Sequence, residues 1–509
     1  MDKFKHSPSL APKTPHTEQS KKALDVAAVF LESTEYTAYT QKEEKALRWR
    51  LDKRLIPLLF FNVTLGAVDK STISTGALYG LRADCEMTTG NRYAWAGSAF
   101  YFGYLLWCFP SSGLLQKFPI AKTMMVFQIM WGVLLIGTGF ANNFETFVVL
   151  RFLLGAIEAP IIPGLIPGNF LVMGMWYTRQ EQPLRTGLFY TGLSSLITGP
   201  LGYVVGFISG QWYLPWRALF WIVGSITIGY ALVIGFFLPD SPVAAKFVND
   251  KEKYVAINRL RADQVGIENK VWKREQFIDA FADVKTWIMV LLNIFINIPN
   301  GALGNFTPLI ISGLGYNARI ASLMFILVGV TSTASCYMCN GGVFLVNKHK
   351  PDLQVRGAFM AFGLLVGMIS TVFLYTLPLT AIHSRLTALL MAYFYLGPYV
   401  VSVGMVAANT AGYTKKITVN ALIFMAYCVS NIIGPFFFKT EQAPLYSLGM
   451  AAMLFSYGAS FVLVAVYMAY CWNENRQRDA LAAANPVPSE ETEFRDLTDK
   501  QNPNFRYVW

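Results

Sequence analysis

The 509-residue chain is 54% hydrophobic and 14% charged, yet its net charge at pH 7 is +11. With a positive mean hydropathy, this composition argues against a soluble enzyme and for an all-α, polytopic membrane protein. The basic excess is then set against a lipid bilayer, and no nucleic-acid partner is expected.

Residues 1–50 read as a disordered cytoplasmic tail, polar and rich in Lys, Ser, Thr and Pro. The charged stretch from Gln41 to Arg54 is expected to lie helical against the membrane face. No signal peptide is evident, so the first span would serve as its own targeting signal. That span, 55–78, is long enough to cross a bilayer, because roughly 20 residues at 1.5 Å each cover about 30 Å of hydrocarbon. About halfway along it stand Asp69 and Lys70. A lone charge there costs about 2.5–3.5 kcal/mol even on insertion scales, so such residues face a polar cavity or a partner. Helical neighbours point about 100° apart; one division has Lys70 lining a cavity and Asp69 turned toward an adjacent helix. A buried ion pair that only fixes packing is the alternative.

Five more apolar runs follow, at 92–115, 121–141, 146–176, 185–209 and 217–238. A charged cytoplasmic linker, 241–286, separates them from six further runs within 287–472, and 473–509 form a second cytoplasmic tail. The expected architecture is two pseudo-symmetric six-helix bundles, 51–240 and 287–472, with substrate held between them near the midplane. Lys and Arg gather in the tails and in alternate loops, as at Lys117/Lys122, Arg179/Arg185, Lys348/Lys350 and Lys415/Lys416. By the positive-inside rule both termini are cytoplasmic and the number of spans is even.

In the fourth run Arg151 and Glu158 are seven residues apart, two turns along nearly one face, with Glu158 about 10 Å deeper. A buried carboxylate near a cation can load and release a proton as its surroundings change; static pairing of Arg151 with Glu158 is the other reading. Pro160, Pro163 and Pro167 in the same run predict a kinked helix beside a cavity. In the seventh run Asn293, Asn297 and Asn300 form an amide stripe that Pro299-Asn300-Gly301 is expected to break. Such a helix could bond a polar substrate through Asn297 and Asn300, or the amides could only join helices. Tyr101, Tyr190 and Tyr393 are further candidates for the cavity wall, suited to a planar or amphipathic ligand. Cys336-x-x-Cys339 has redox or zinc spacing, but inside an apolar run it reads as packing.

Together, Asp69-Lys70-Ser71, Arg151-Phe-Leu-Leu-Gly-Ala-Ile-Glu158, Pro215-Trp216-Arg217, Leu238-Pro-Asp-Ser-Pro242, Asn297-Ile-Pro-Asn-Gly301, Ala408-Asn-Thr-Ala-Gly412 and Tyr427-Cys-Val-Ser-Asn-Ile-Ile-Gly-Pro435 carry a family likeness. The chain resembles the fungal allantoate permease family, a branch of the anion:cation symporters within the major facilitator superfamily, from about 50 to 475. It departs from the pattern in three ways: Tyr413 replaces a usual His, Gln116 a loop Asp, and the Glu158–Trp176 segment is about four residues longer. The resemblance implies proton-driven import of a small organic anion or amide, such as an allantoate-like ureide, a dipeptide or a carboxylate vitamin. It places proton coupling on Asp69 and Glu158 and the substrate anion on Lys70, with Arg151 a second candidate cation. No cofactor beyond the proton gradient is expected, and the carrier would act as a monomer in the plasma membrane or an endomembrane. The competing readings are an exporter of a fungal secondary metabolite and a nutrient receptor signalling through its tails. An enzyme is not expected, because the four His form no metal cluster and no nucleophile motif is present.

Overall fold

A computed structural model describes residue 30 and residues 39–161, 168–178, 181, 185, 192–208, 214–263, 272–350, 353–484 and 496–509. Helix α1 (Gln41–Leu78) runs unbroken from the charged stretch into the first span. Thr40 starts it with a reciprocal capping box: Glu43 N–H donates to the Thr40 hydroxyl, and Thr40 N–H donates to the Glu43 carboxylate. Residues 41–50, assigned to the tail but expected to be helical as far as Arg54, are the opening turns of this helix and continuous with the first span. Its 38 residues reach about 57 Å, well beyond a hydrocarbon core of about 30 Å.

The first half continues through α2 (Arg92–Lys117), α3 (Ile120–Thr138), α4 (Phe144–Glu158), α5 (Gly168–Trp176), α6 (Ser195–Val205) and α7 (Pro215–Phe237). The linker carries α8 (Asp250–Asp263) and α9 (Arg274–Ala282). The second half comprises α10 (Val284–Gly313), α11 (Ala318–His349), α12 (Arg356–Thr376), α13 (Ile382–Ala392), α14 (Leu396–Asn409), α15 (Tyr413–Ile433) and α16 (Ser447–Ala484). Among the described residues, taking α4 with α5 and α13 with α14 gives twelve helical spans, eight of them long and apolar enough to cross a membrane on that criterion alone. The fourth span divides just after Glu158, where Pro160 follows; the prolines at 163 and 167 lie outside the described residues.

The seventh span is not broken. α10 continues through both Pro299 and Pro308. Each proline removes one backbone donor, while nearby side-chain amides bond back to the helix: Asn293 to Met289 O, Asn297 to Asn293 O and Asn305 to Gly301 O, at 2.7–2.9 Å.

The halves meet mainly through α2 against α15 and α6 against α11, with α1 against α10 beside them. The first two pairs exchange when span n is mapped on span n+6, the signature of a two-fold pseudo-axis. Small residues permit the approach: a Cβ on Gly192 would lie 2.7 Å from Gly329 O, and one on Gly329 2.4 Å from Gly192 O. Polar contacts joining the halves include Tyr79 to Ser322 at 3.2 Å, Arg82 to Thr440 at 3.0 Å, Tyr93 to Asn305 O at 2.9 Å and Ser98 to Ile432 O at 2.8 Å. All four lie toward the end opposite the linker. The linker itself is shared: Arg259 on α8 bonds Glu181 and Trp176 O, whereas Gln276 on α9 accepts from Thr414 N–H in the second half.

Candidate functional site

The charged pair of α1 divides as its helical phase predicts. Asp69 is fully buried and turned into the first half, where its Oδ2 accepts from Trp131 Nε1 at 2.8 Å and its Oδ1 from Arg151 at 3.4 Å. Lys70 projects about 100° away and keeps 22% of its side chain exposed, with Nζ 3.4 Å from Glu158 Oε1. Arg151 and Glu158 therefore do not pair with each other. Each takes a partner from α1, which gives two crossed ion pairs, Arg151–Asp69 and Glu158–Lys70.

The crossing of α2 and α4 sets this geometry. A Cβ on Gly103 would lie 1.9 Å from Phe152 O, and one on Gly155 1.9 Å from Phe100 O, so only glycine admits the contact. That closeness puts the Phe100 ring 5.3 Å from both the Lys70 ammonium and the Arg151 guanidinium, and Tyr104 5.2 Å from Lys70. Cation–π contact and two carboxylates thus compensate charges that the apolar surroundings would otherwise expel. Glu158 is the least satisfied member: it is fully buried, and neither carboxyl oxygen has a hydrogen bond.

The second half brings amides and aromatic rings. Asn300 donates to Asn431 Oδ1 at 2.8 Å and accepts from the Tyr395 hydroxyl at 2.8 Å. Asn297 is 1% exposed and bonded within its own helix, and Tyr393 is bonded to Thr307 at 2.8 Å. Tyr101 faces Tyr427 across the halves with ring centroids 6.1 Å apart, and Tyr104 faces Phe424 at 5.2 Å. Tyr190 lies outside the described residues. Of the candidate cations, Arg151 is 2% exposed and committed to Asp69, which leaves Lys70 as the one with open surface. Trp131, Phe100, Phe424, Tyr427 and Asn431 were not singled out as site residues from the sequence. The signal available was a polar or aromatic residue at i, i+4 in apolar runs, as for Tyr427 and Asn431, but core residues share that spacing.

A second charged cluster lies at the linker end of the second half. Residues 496–509 fold back so that Asp499, fully buried, accepts from Lys285 and from Lys415, the latter at 2.9 Å. Burial pushes the Asp499 carboxyl up, but the Lys285 and Lys415 ammonium groups outweigh it and hold it down, at about 2. Asp283 shares both cations, at 3.5 and 2.8 Å, and Tyr507 donates to Asp499 at 2.9 Å.

The Major Facilitator Superfamily model matches residues 58–435. Among curated proteins, the chain is 33% identical to the MFS-type transporter cnsL of Penicillium expansum, covering 96% of this chain and 92% of that one. It is 32% identical to the allantoate permease of Saccharomyces cerevisiae, covering 95% and 90%. Among solved structures, a bacterial homologue of the human lysosomal transporter Spinster, in an inward-facing unoccupied conformation, superposes with a TM-score of 0.60 at 16% identity, covering 82% of this chain and 95% of that one.

Proposed function

The chain belongs to the Major Facilitator Superfamily, and from that premise we propose that it is a proton-coupled carrier importing a small organic anion by alternating access. The observation that carries this reading is the Glu158–Lys70 pair: a fully buried carboxylate without hydrogen bonds, held by the one cation of the cluster that has open surface. A substrate carboxylate arriving on Lys70 competes with Glu158. Leaving Glu158 charged and unpaired would cost several kcal/mol, so it takes up a proton as the anion binds. Anion and proton then load together, which is symport. Asp69 is the second candidate proton site, poised behind Lys70 and free to accept a proton when Arg151 moves away. Asn300, bonded to Asn431 and Tyr395, is the candidate polar group of the second half, and a substrate would meet it by exchanging one of those bonds.

Residues 41–54 and 496–509 lie at the linker end, joined to it through Arg50–Glu252 and Asp496–Lys273; the positive-inside rule assigns that end to the cytoplasm, and the plasma membrane is the expected site. The halves are tied together at the opposite end, which supports an inward-facing reading of this conformation.

The test is uptake by purified protein in liposomes, with labelled organic anions and ureides under an inward proton gradient. The parent is expected to accumulate its substrate. Glu158→Gln is expected to lose accumulation and keep substrate exchange, because the amide mimics the protonated state. Undiminished gradient-driven accumulation by Glu158→Gln overturns the reading. Efflux from preloaded vesicles with no inward accumulation by the parent assigns export instead.

A further inference from the structure

The linker holds a surface that plays no part in the carrier reading. Helix α9 (Arg274–Ala282) is two-faced: Gln276 and Ala280 are buried, whereas Phe277, Ile278 and Phe281 are exposed. Residues three and four apart share a helix face, so these three form one apolar stripe. The stripe continues past both ends of the helix. The Trp272 ring, 61% exposed, lies 5.8 Å from Phe277; Phe277 lies 5.1 Å from Phe281, and Phe281 6.4 Å from Trp287 on α10. Trp287 also donates from Nε1 to Phe281 O at 2.8 Å, which fixes the corner between the two helices.

Contacts on the opposite face set the direction of α9. At its start, Lys273 N–H donates to the Thr414 hydroxyl and Gln276 accepts from Thr414 N–H, both at 3.0 Å. At its far end, Asp279 and Asp283 both meet the Lys415 ammonium, at 3.0 and 2.8 Å. Thr414 and Lys415 are neighbours in the first turn of α15, about 1.5 Å apart along its axis. The nine residues of α9 span about 14 Å. With both ends at one level, the helix lies across the end of α15 and does not project from it. Its exposed stripe then runs on into the outer face of α10, where Val284, Trp287 and Leu291 are exposed at the start of an apolar helix long enough to cross the membrane.

That continuity selects the occupant, because the outer face of α10 is solvated by lipid. Trp272 and Trp287 at the two ends of the stripe are side chains suited to the headgroup level. Arg274, exposed on the same face of α9, can rest its stem on the apolar surface and reach a headgroup phosphate. We propose that α9 is an interfacial helix seated in the leaflet on the linker side, with Phe277, Ile278 and Phe281 among the upper acyl chains and Arg274 on a phospholipid phosphate. The linker, which its charge marks as aqueous, thus carries one lipid-facing helix. Behind it lies the C-terminal segment, where Asp496 accepts from Gln276 at 3.1 Å and Lys500 stands 3.5 Å from Asp279. α9 is therefore the layer between that segment and the bilayer.

The test uses the full-length protein, one copy per nanodisc of phosphatidylcholine and phosphatidylserine, spin-labelled at Ile278→Cys or Phe281→Cys. Gln501→Cys, on the C-terminal segment, is the water-exposed reference. The native cysteines are buried, and the unsubstituted protein gives the labelling background. Collision rates are read with oxygen, which concentrates in lipid, and with a water-soluble nickel chelate. The oxygen-to-nickel ratio at 278 and at 281 should exceed that at 501 by about fivefold or more, because both side chains lie below the headgroups. Ratios at 278 and 281 equal to that at 501 overturn the proposal and leave the face to a soluble partner. Exclusion of both reagents in proteoliposomes, with dipolar broadening between labels at 278, overturns it in favour of a second copy of this chain. Neither outcome bears on the flux experiment with Glu158→Gln, whose residue lies in the first half.

Discussion

Asp69 and Arg151 show how far a single buried charge can be tolerated. Both are almost without solvent contact, and Trp131 supplies the remaining hydrogen bond. Removing one partner of such a pair strands the other, at a cost of about 3–5 kcal/mol, whereas removing both together costs much less. Arg151→Leu alone should therefore lower the thermal midpoint of the detergent-solubilised protein sharply. Arg151→Leu combined with Asp69→Asn should recover part of the loss, a non-additivity that a double-mutant cycle reads directly. If the two losses simply add, the pair is not the unit described. Lys70→Gln should affect stability less, because its side chain is partly exposed and Glu158 can be neutralised by a proton.

Among the elements, the segment 496–509 acts as a strap across the second half. Asn409 holds it by donating to Val508 O and accepting from Val508 N–H, at 2.7 and 2.8 Å, and Asp496 accepts from Tyr413 N–H at 2.8 Å. Asp499 closes the charge balance of Lys285 and Lys415. Its carboxyl is lowered from 3.8 to about 2 on folding, so its contribution, on the order of 2 kcal/mol, is complete above pH 4 and lost as the pH falls toward 2. A fluorophore on Gln501→Cys should keep high anisotropy at pH 5 and lose it between pH 4 and 2. Asp499→Asn should release the segment already at pH 7, seen as faster hydrogen exchange at the Ala411 and Tyr413 amides. Unchanged exchange in that variant would show that the charge cluster does not hold the strap.

For the whole molecule, alternating access requires the contacts at the closed end to open. Gly202 and Ser322 face each other there from α6 and α11, with a Cβ on Gly202 3.0 Å from Ser322 Cβ. All six native cysteines are buried and none is in a disulfide. A disulfide between Gly202→Cys and Ser322→Cys, formed with a small shift of the helices, should abolish net accumulation in liposomes, with recovery on reduction. Full accumulation in the cross-linked protein would mean that the two halves need not part at this end.

The twelve apolar runs, their division by a charged linker and the fold class were legible in the sequence, because each span must satisfy its own backbone and bury its own length in lipid. So was the split between Asp69 and Lys70, since helical phase alone separates neighbours by about 100°. The crossed pairing of Asp69 with Arg151 and Glu158 with Lys70 was not, because it depends on how closely α2 and α4 approach, through glycines whose partners lie some fifty residues away. Nor was the continuity of α10, which sequence reading took to be broken: prolines mark lost donors, but only the folded chain shows that the helix runs on through both of them. The docking of Asp499 lay equally out of reach, since its cations stand 214 and 84 residues away along the chain. The sequence by itself determined what each segment must bury and which way its charges point. Only the tertiary structure decided which charge meets which, because ion pairing follows distances in space that spacing along the chain does not encode.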